Sequence, residues 1–306
     1  MLNQQETLVA TAEKKSKNGI FVKKIIANRM LFSGILVVLT MIIISIVIPF
    51  VMKLDPYAIE PVNRLQPPSA AHWFGTDDFG RDLFTRVIYG LRYSLLIGFV
   101  VAVIVTAISL VFGLFTAYFL WIDNILMRFI DGLYAFPTIL LAIAIVAIRG
   151  PSIENVMLAL IIVYIPSLTR VIRSAAIVIK EQTYIEALRL QGANIWRILF
   201  IHTVPNIMSP IIIQTTFIFA SAILTEAALS FLGAGIPAPA PSLGNILYDG
   251  KNLIYKAWWM TVFPGIFVVL LVVSLNIAGD GLRDLLDPKT FSVKNRKKRL
   301  RKEMKG

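Results

Sequence analysis

Side chains able to do chemistry are sparse in this chain, and few lie close enough in sequence to cooperate. Asp77, Asp78 and Asp82 form the densest carboxylate group, the type that general acid–base catalysis or a metal would need. Arg81 and Arg86 lie among them, so the group reads as outer-loop structure, with gating contacts as the alternative. Glu226 stands alone inside an apolar run. An ionisable group at the centre of a membrane helix costs about 2.5–3.5 kcal/mol on insertion scales, and so faces a cavity or a partner. Glu226 therefore either lines a translocation path or is held, protonated or hydrogen-bonded, by a neighbouring helix.

The remaining chemistry is mostly excluded. There is no cysteine, and the two histidines, His72 and His202, are far apart, which removes thiol nucleophiles, disulfides and zinc clusters. His202 reads as a packing residue. Gly250 and Lys251 suggest a phosphate loop, but five residues separate Gly244 from Gly250 where four are needed, and Asn252 stands where Ser or Thr belongs. We expect no catalytic residue, no cofactor, no metal and no nucleotide bound by this chain itself.

The elements that carry these residues are membrane helices. Of 306 residues, 57% are hydrophobic and 16% charged, where a soluble domain carries about 25% charge. The net charge of +12 gathers at the two ends, in Lys14, Lys15, Lys17, Lys23, Lys24 and Arg29 and again from Lys294 to Lys305. Basic clusters beside apolar runs point to anionic membrane lipid and a cytoplasmic side, and not to nucleic acid.

A helix crossing a hydrocarbon core of about 30 Å needs about 20 apolar residues. Six runs qualify: residues 31–51, 93–121, 132–148, 155–170, 209–232 and 258–278. The first lacks a small-residue cleavage signature and reads as an uncleaved anchor. Asp123 and Arg128 mark a short turn between the second and third runs, Pro137 lies near the start of the third, and Pro166 interrupts the fourth. An even number of spans puts both ends in the cytoplasm. Residues 52–92 and 234–257 then lie outside and 171–205 inside, where Arg170, Arg173, Lys180, Arg189 and Arg197 outnumber Glu181 and Glu186. The expected organisation is a basic cytoplasmic segment 1–30, a first helix 31–52, an extracytoplasmic loop 53–91, a membrane domain 92–280 and a basic cytoplasmic tail 281–306.

Residues 183–206 read TYIEALRLQGANIWRILFIHTVPN. Glu186 to Leu190 are mostly good helix formers, Gly192 can take a positive φ and close a turn, and residues 195–203 can start a second helix. This helix, glycine, helix, proline pattern resembles the EAA loop of ABC importer permeases. Glu186, Ala187, Gly192 and Pro205 match it, and Leu188 replaces the second alanine. Without the rest of the chain, an amphipathic interfacial helix capped by glycine is the alternative.

Four further motifs appear in order: FGTDDFGRD at 74–82 followed by GLRYSL at 90–95, FPTILLAI at 136–143, HTVPN at 202–206 and EAALSFLGAGIPAPAPSLGNIL at 226–247. Together they resemble the dipeptide, oligopeptide and nickel permease family of ABC importers from about residue 73 to residue 288, most nearly its C-type subunit. Leu243 departs from the family's usual Trp in a Pro-Ser-Trp-Gly arrangement.

The resemblance implies an all-α polytopic protein of about six spans with the type I importer transmembrane fold, in the bacterial inner membrane. It implies half of a pore for peptides, with nickel or metal chelates as the alternative cargo. The implied partners are a second homologous permease in a heterodimer, two ABC ATPase subunits that use ATP and Mg, and an extracytoplasmic substrate-binding protein. It also makes Glu186, Ala187, Gly192, Ile195 and Pro205 the ATPase-coupling residues. A different class, an ion-driven secondary transporter, would need intramembrane charges, and Glu226 is the clear candidate. A membrane enzyme would need paired acids or a histidine cluster that the sequence does not offer.

Overall fold

A computed structural model describes residues 28–286; the expected basic segment up to residue 27 and the basic tail beyond residue 286 lie outside them. Nine helices of eight or more residues occur among the described residues. They are α1 (Arg29–Met52), α2 (Leu83–Tyr118), α3 (Leu120–Tyr134), α4 (Thr138–Arg149), α5 (Ile153–Lys180), α6 (Thr183–Leu190), α7 (Val204–Phe231), α8 (Leu243–Gly250) and α9 (Trp259–Leu286). Five are long and apolar enough to cross a membrane, counting α7 with its run-in from Ile195, and the bent pair α3–α4 makes a sixth if it is one span.

The third run differs from its expectation. Residues 132–148 are not one helix, because α3 and α4 meet at 93°. Pro137 has no amide hydrogen and pushes the residue before it out of helical geometry, so the chain turns at residues 135–137 and restarts at Thr138. Asp123 and Arg128 do not mark a turn: both lie within α3. The break between the second and third runs falls earlier, at Phe119, whose φ and ψ of −120° and 104° are extended.

Other boundaries moved because caps outweigh apolarity. Asp82 accepts from Thr85 N at 2.8 Å and starts α2 ten residues before the apolar run. Ser152 caps α5, which carries Pro166 within it and continues to Lys180. Residues 171–180, expected in a loop, are therefore the last three turns of that helix. In the loop at 234–257, Ser242 caps the unforeseen helix α8 by accepting from Asn245 N at 3.1 Å.

Two apolar cores hold the helices. One joins α2, α4, α5 and α7 around Val101, Leu160, Ile172 and Ala222. The other joins α1, α2, α7, α8 and α9 around Leu91, Ile223, Ile246 and Leu271. Gly34 makes the α1–α9 crossing possible, since a Cβ there would sit 2.7 Å from the backbone of Ser274 and Ala278. Polar ties close both ends of α1: Asn28 Nδ2 donates to Gly281 O at 3.2 Å, and Tyr89 Oη donates to Leu54 O at 3.1 Å.

Candidate functional site

The segment between α5 and α7 is largely exposed. In α6 only Ile185 is buried, and it pins the helix to the bundle. Glu186 and Ala187 face outward together. After α6 the chain reverses at Gly192, whose φ of +78° is the left-handed conformation glycine allows. A Cβ at Gly192 would meet nothing within 4 Å, so the backbone, and not crowding in this chain, demands glycine.

The expected second helix takes an unusual form. Residues Ile195–Arg197 make one short turn capped by Asn194, and Ile198–Thr203 form a π-helical turn that runs directly into α7. Pro205 lies in the first turn of α7, where its missing N–H costs nothing, so it begins a helix and does not end one. Ile195 is half-buried and Pro205 exposed.

Aromatic and charged ties fix this end to the spans. Trp196 stacks on Phe200 with ring centroids 6.1 Å apart and meets Phe115 of α2 edge-on at 6.0 Å. Tyr118 Oη lies 2.6 Å from Thr203 Oγ1, and Lys180 Nζ donates to Ala117 O at 2.8 Å. Arg173 donates to both oxygens of Asp123 at 2.6 and 2.7 Å, clamping α5 to α3, while Arg170 reaches Asp131 at 2.6 Å. Sequence reading took Asp123 for a turn residue and missed its partner fifty positions on; an acid in an apolar helix, with spare arginines elsewhere, was the available signal. His202 is half-buried beside this end, its Nε2 without a partner among the described residues.

Glu226 lies nearer the other end of α7 and is fully buried. Ser94 of α2 donates to its Oε2 at 3.0 Å and Ser230 to its Oε1 at 2.9 Å. The enclosed carboxylate thus ties α2 to its own helix, α7.

Of the group of aspartates at that same end, Asp77 is the one paired with the arginines. Asp77 Oδ2 accepts from Arg81 Nε at 2.6 Å and lies 3.5 Å from Arg86 Nε, all three residues being buried. Asp82 caps α2 and also contacts His72 Nδ1 at 3.0 Å. Burial, and then the neighbouring Asp77, raise the Asp78 carboxyl above its usual range; burial, and then Asp78, do the same to Asp249 of α8. No cluster of acids and histidines suited to a metal ion occurs among the described residues.

Residues 109–292, which contain the α6 turn, the π-turn and Glu226, match the family model described as the inner membrane component of binding-protein-dependent transport systems. The chain belongs to this family. It is 45% identical to the dipeptide transport system permease protein DppC of Alkalihalophilus pseudofirmus, over 88% of this chain and 89% of that one. It is 37% identical to the probable D,D-dipeptide transport system permease protein DdpC of Escherichia coli, over 94% and 98%. In fold it is similar to a chain of the MetNI methionine ABC transporter solved in inward-facing conformations, with a TM-score of 0.56 and 20% identity over 67% of this chain and 98% of that one. The all-α importer fold expected from the motifs is the fold observed, and the chain is a multi-pass membrane permease subunit of an ABC transporter.

Proposed function

We propose that this permease forms half of the pore of an importer for short peptides and receives its driving force through α6 and the turn at Gly192. The peptide cargo rests on the relatives' names; the site of coupling rests on geometry. The observation that carries it is an exposed helix of eight residues, anchored by Ile185 and closed by a left-handed glycine, after which the chain from Ile195 runs unbroken through the π-turn into a membrane-crossing helix. A partner that moves α6 also moves α7.

In this reading α6 lies in the cytoplasm, in a groove of an ATPase subunit, a helix-in-groove contact. Glu186 pairs there with a basic residue, Ala187 and Ile195 supply small and apolar contact, and Gly192 and Pro205 set the path of the backbone. Two such ATPases bind ATP and Mg, and neither is bound by this permease. Both termini share the cytoplasmic side, and residues 53–82 and α8 face outward toward a substrate-binding protein. The exposed apolar residues of the bent pair, among them Trp121, Phe129 and Leu140, suit contact with a second, homologous permease in a heterodimer. ATP-driven closure would rock two such halves between inward-open and outward-open packings.

Co-purification of the tagged chain from native membranes, followed by mass spectrometry, tests the assembly: a second permease and two ATPases should remain bound. Glu186→Lys should insert normally, lose the ATPases and lose peptide uptake at least tenfold. Normal uptake by the inserted variant would remove the coupling assignment.

A further inference from the structure

The GLRYSL motif has no part in the coupling end, yet it builds a small site of its own. Tyr89, Arg92, Tyr93 and Leu96 line a cavity of about 220 Å³ on α2. Tyr89 is held by its bond to Leu54 O, just past the end of α1. Arg92 is exposed and makes no ion pair within 4.0 Å among the described residues. Lys53, the residue after α1, stands exposed beside Leu54. The neighbouring acid, Asp55, accepts from Tyr57 N at 2.9 Å.

Below Arg92 the same face of α2 continues as Leu96, Phe99 and Val103, which are 51%, 60% and 48% exposed. This face is opposite Gly90, Ser94 and Gly98, through which α2 packs against α7 and α8. From Tyr93 to Tyr118 the helix carries no charge, a length of about 39 Å at 1.5 Å per residue, more than enough for a hydrocarbon core of about 30 Å. Arg92 is thus the last charge before the hydrocarbon, at the level where tyrosines concentrate and phosphates lie.

The geometry points to a binding site for one anionic phospholipid, its phosphate held by Arg92 and the Tyr93 hydroxyl and an acyl chain laid along Leu96, Phe99 and Val103. Guanidinium and hydroxyl donors suit phosphate oxygens, and the apolar stripe below them suits a lipid and not a soluble anion.

The test is native mass spectrometry of the whole complex, with partner permease and ATPases, purified in mild detergent and titrated with phosphatidylglycerol. One phosphatidylglycerol should stay bound through washing. Arg92→Gln should weaken its retention about fivefold, the worth of one basic residue near an anionic surface, and Arg92→Lys should keep most of it. Leu96→Asn should also weaken retention while leaving the charge in place, which keeps the test open if Arg92→Gln fails to assemble. Retention unchanged in both Arg92→Gln and Leu96→Asn overturns the site. Displacement of the lipid by millimolar inorganic phosphate would also overturn it, in favour of a free-anion site, and displacement by dialanine would do so in favour of the translocation path.

Discussion

At Gly192, replacement by Ala or Asn separates two reasons for a glycine. Its φ is +78°, and an added Cβ would meet nothing within 4 Å. Within this chain the cost of a side chain is therefore backbone strain alone. For alanine in the left-handed region that strain is about 1–2 kcal/mol, which lowers the ratio of formed to unformed turn about five- to thirtyfold. Asparagine visits that region more readily, because its side chain bonds locally, and should lose less than half as much. The domain itself should still insert, since the two apolar cores do not include Gly192. The assay is the ATPase-to-permease ratio after co-purification, together with peptide uptake at matched membrane levels. Backbone strain predicts the order Gly, Asn, Ala. If space for a docked partner were the limit, the smaller alanine would do better than asparagine, and that order would refute the reasoning.

The serine-bound carboxylate, the α3–α5 clamp and the outer aspartates give three more expectations. Glu226→Ala strands the buried hydroxyls of Ser94 and Ser230, at about 2–4 kcal/mol in all, so its thermal midpoint in detergent should fall well below that of Glu226→Gln; equal midpoints would contradict the bonding described. Asp123→Arg or Arg173→Asp alone should each cost about 1 kcal/mol, and the double reversal should recover part of the loss in a double-mutant cycle, with no coupling counting against the clamp. Burial raises Asp78 and Asp249 above the ordinary 3.8, so the folded outer segment keeps protons that the unfolded chain releases, and its stability falls as pH rises above 3.8. Asp78→Asn should narrow the gap in thermal midpoint between about pH 4.5 and about pH 7.5; an unchanged gap would place the titration elsewhere.

How far the sequence speaks depends on the range of the interaction. Gly192 was legible because a left-handed turn is a local demand with a local residue to meet it. Five of the six spans were legible for a similar reason, since long apolar runs have few alternatives. Asp123 misled because a charge in an apolar stretch looks like a boundary until its partner, fifty residues away, is found. Glu226 stood out as an anomaly, but Ser94, 132 residues away, gave no sign that it was the partner. Helix α8 escaped because eight residues beside a run of prolines and glycines leave too little periodicity to read. The 93° break was half-legible: Pro137 was noted at the start of a span, but whether neighbours tolerate a proline as a kink or turn it into a corner is decided by packing.

The wide turn at Ile198–Thr203 carries slack. A π-turn holds one more residue than the α-helical turn it replaces, and each residue of an α-helix is about 100° of rotation. The wide turn therefore absorbs one residue locally, and the rest of α7 keeps the rotation of an unbroken α-helix. Removing one residue within Ile198–Thr203 should let the turn relax to α-helical geometry and leave Glu226 facing Ser94. Removing one residue from the regular part of α7 before Glu226 has no such slack: it turns everything beyond it by about 100° and carries Glu226 away from Ser94. The first deletion should keep a thermal midpoint near that of the intact chain, and the second should lose it.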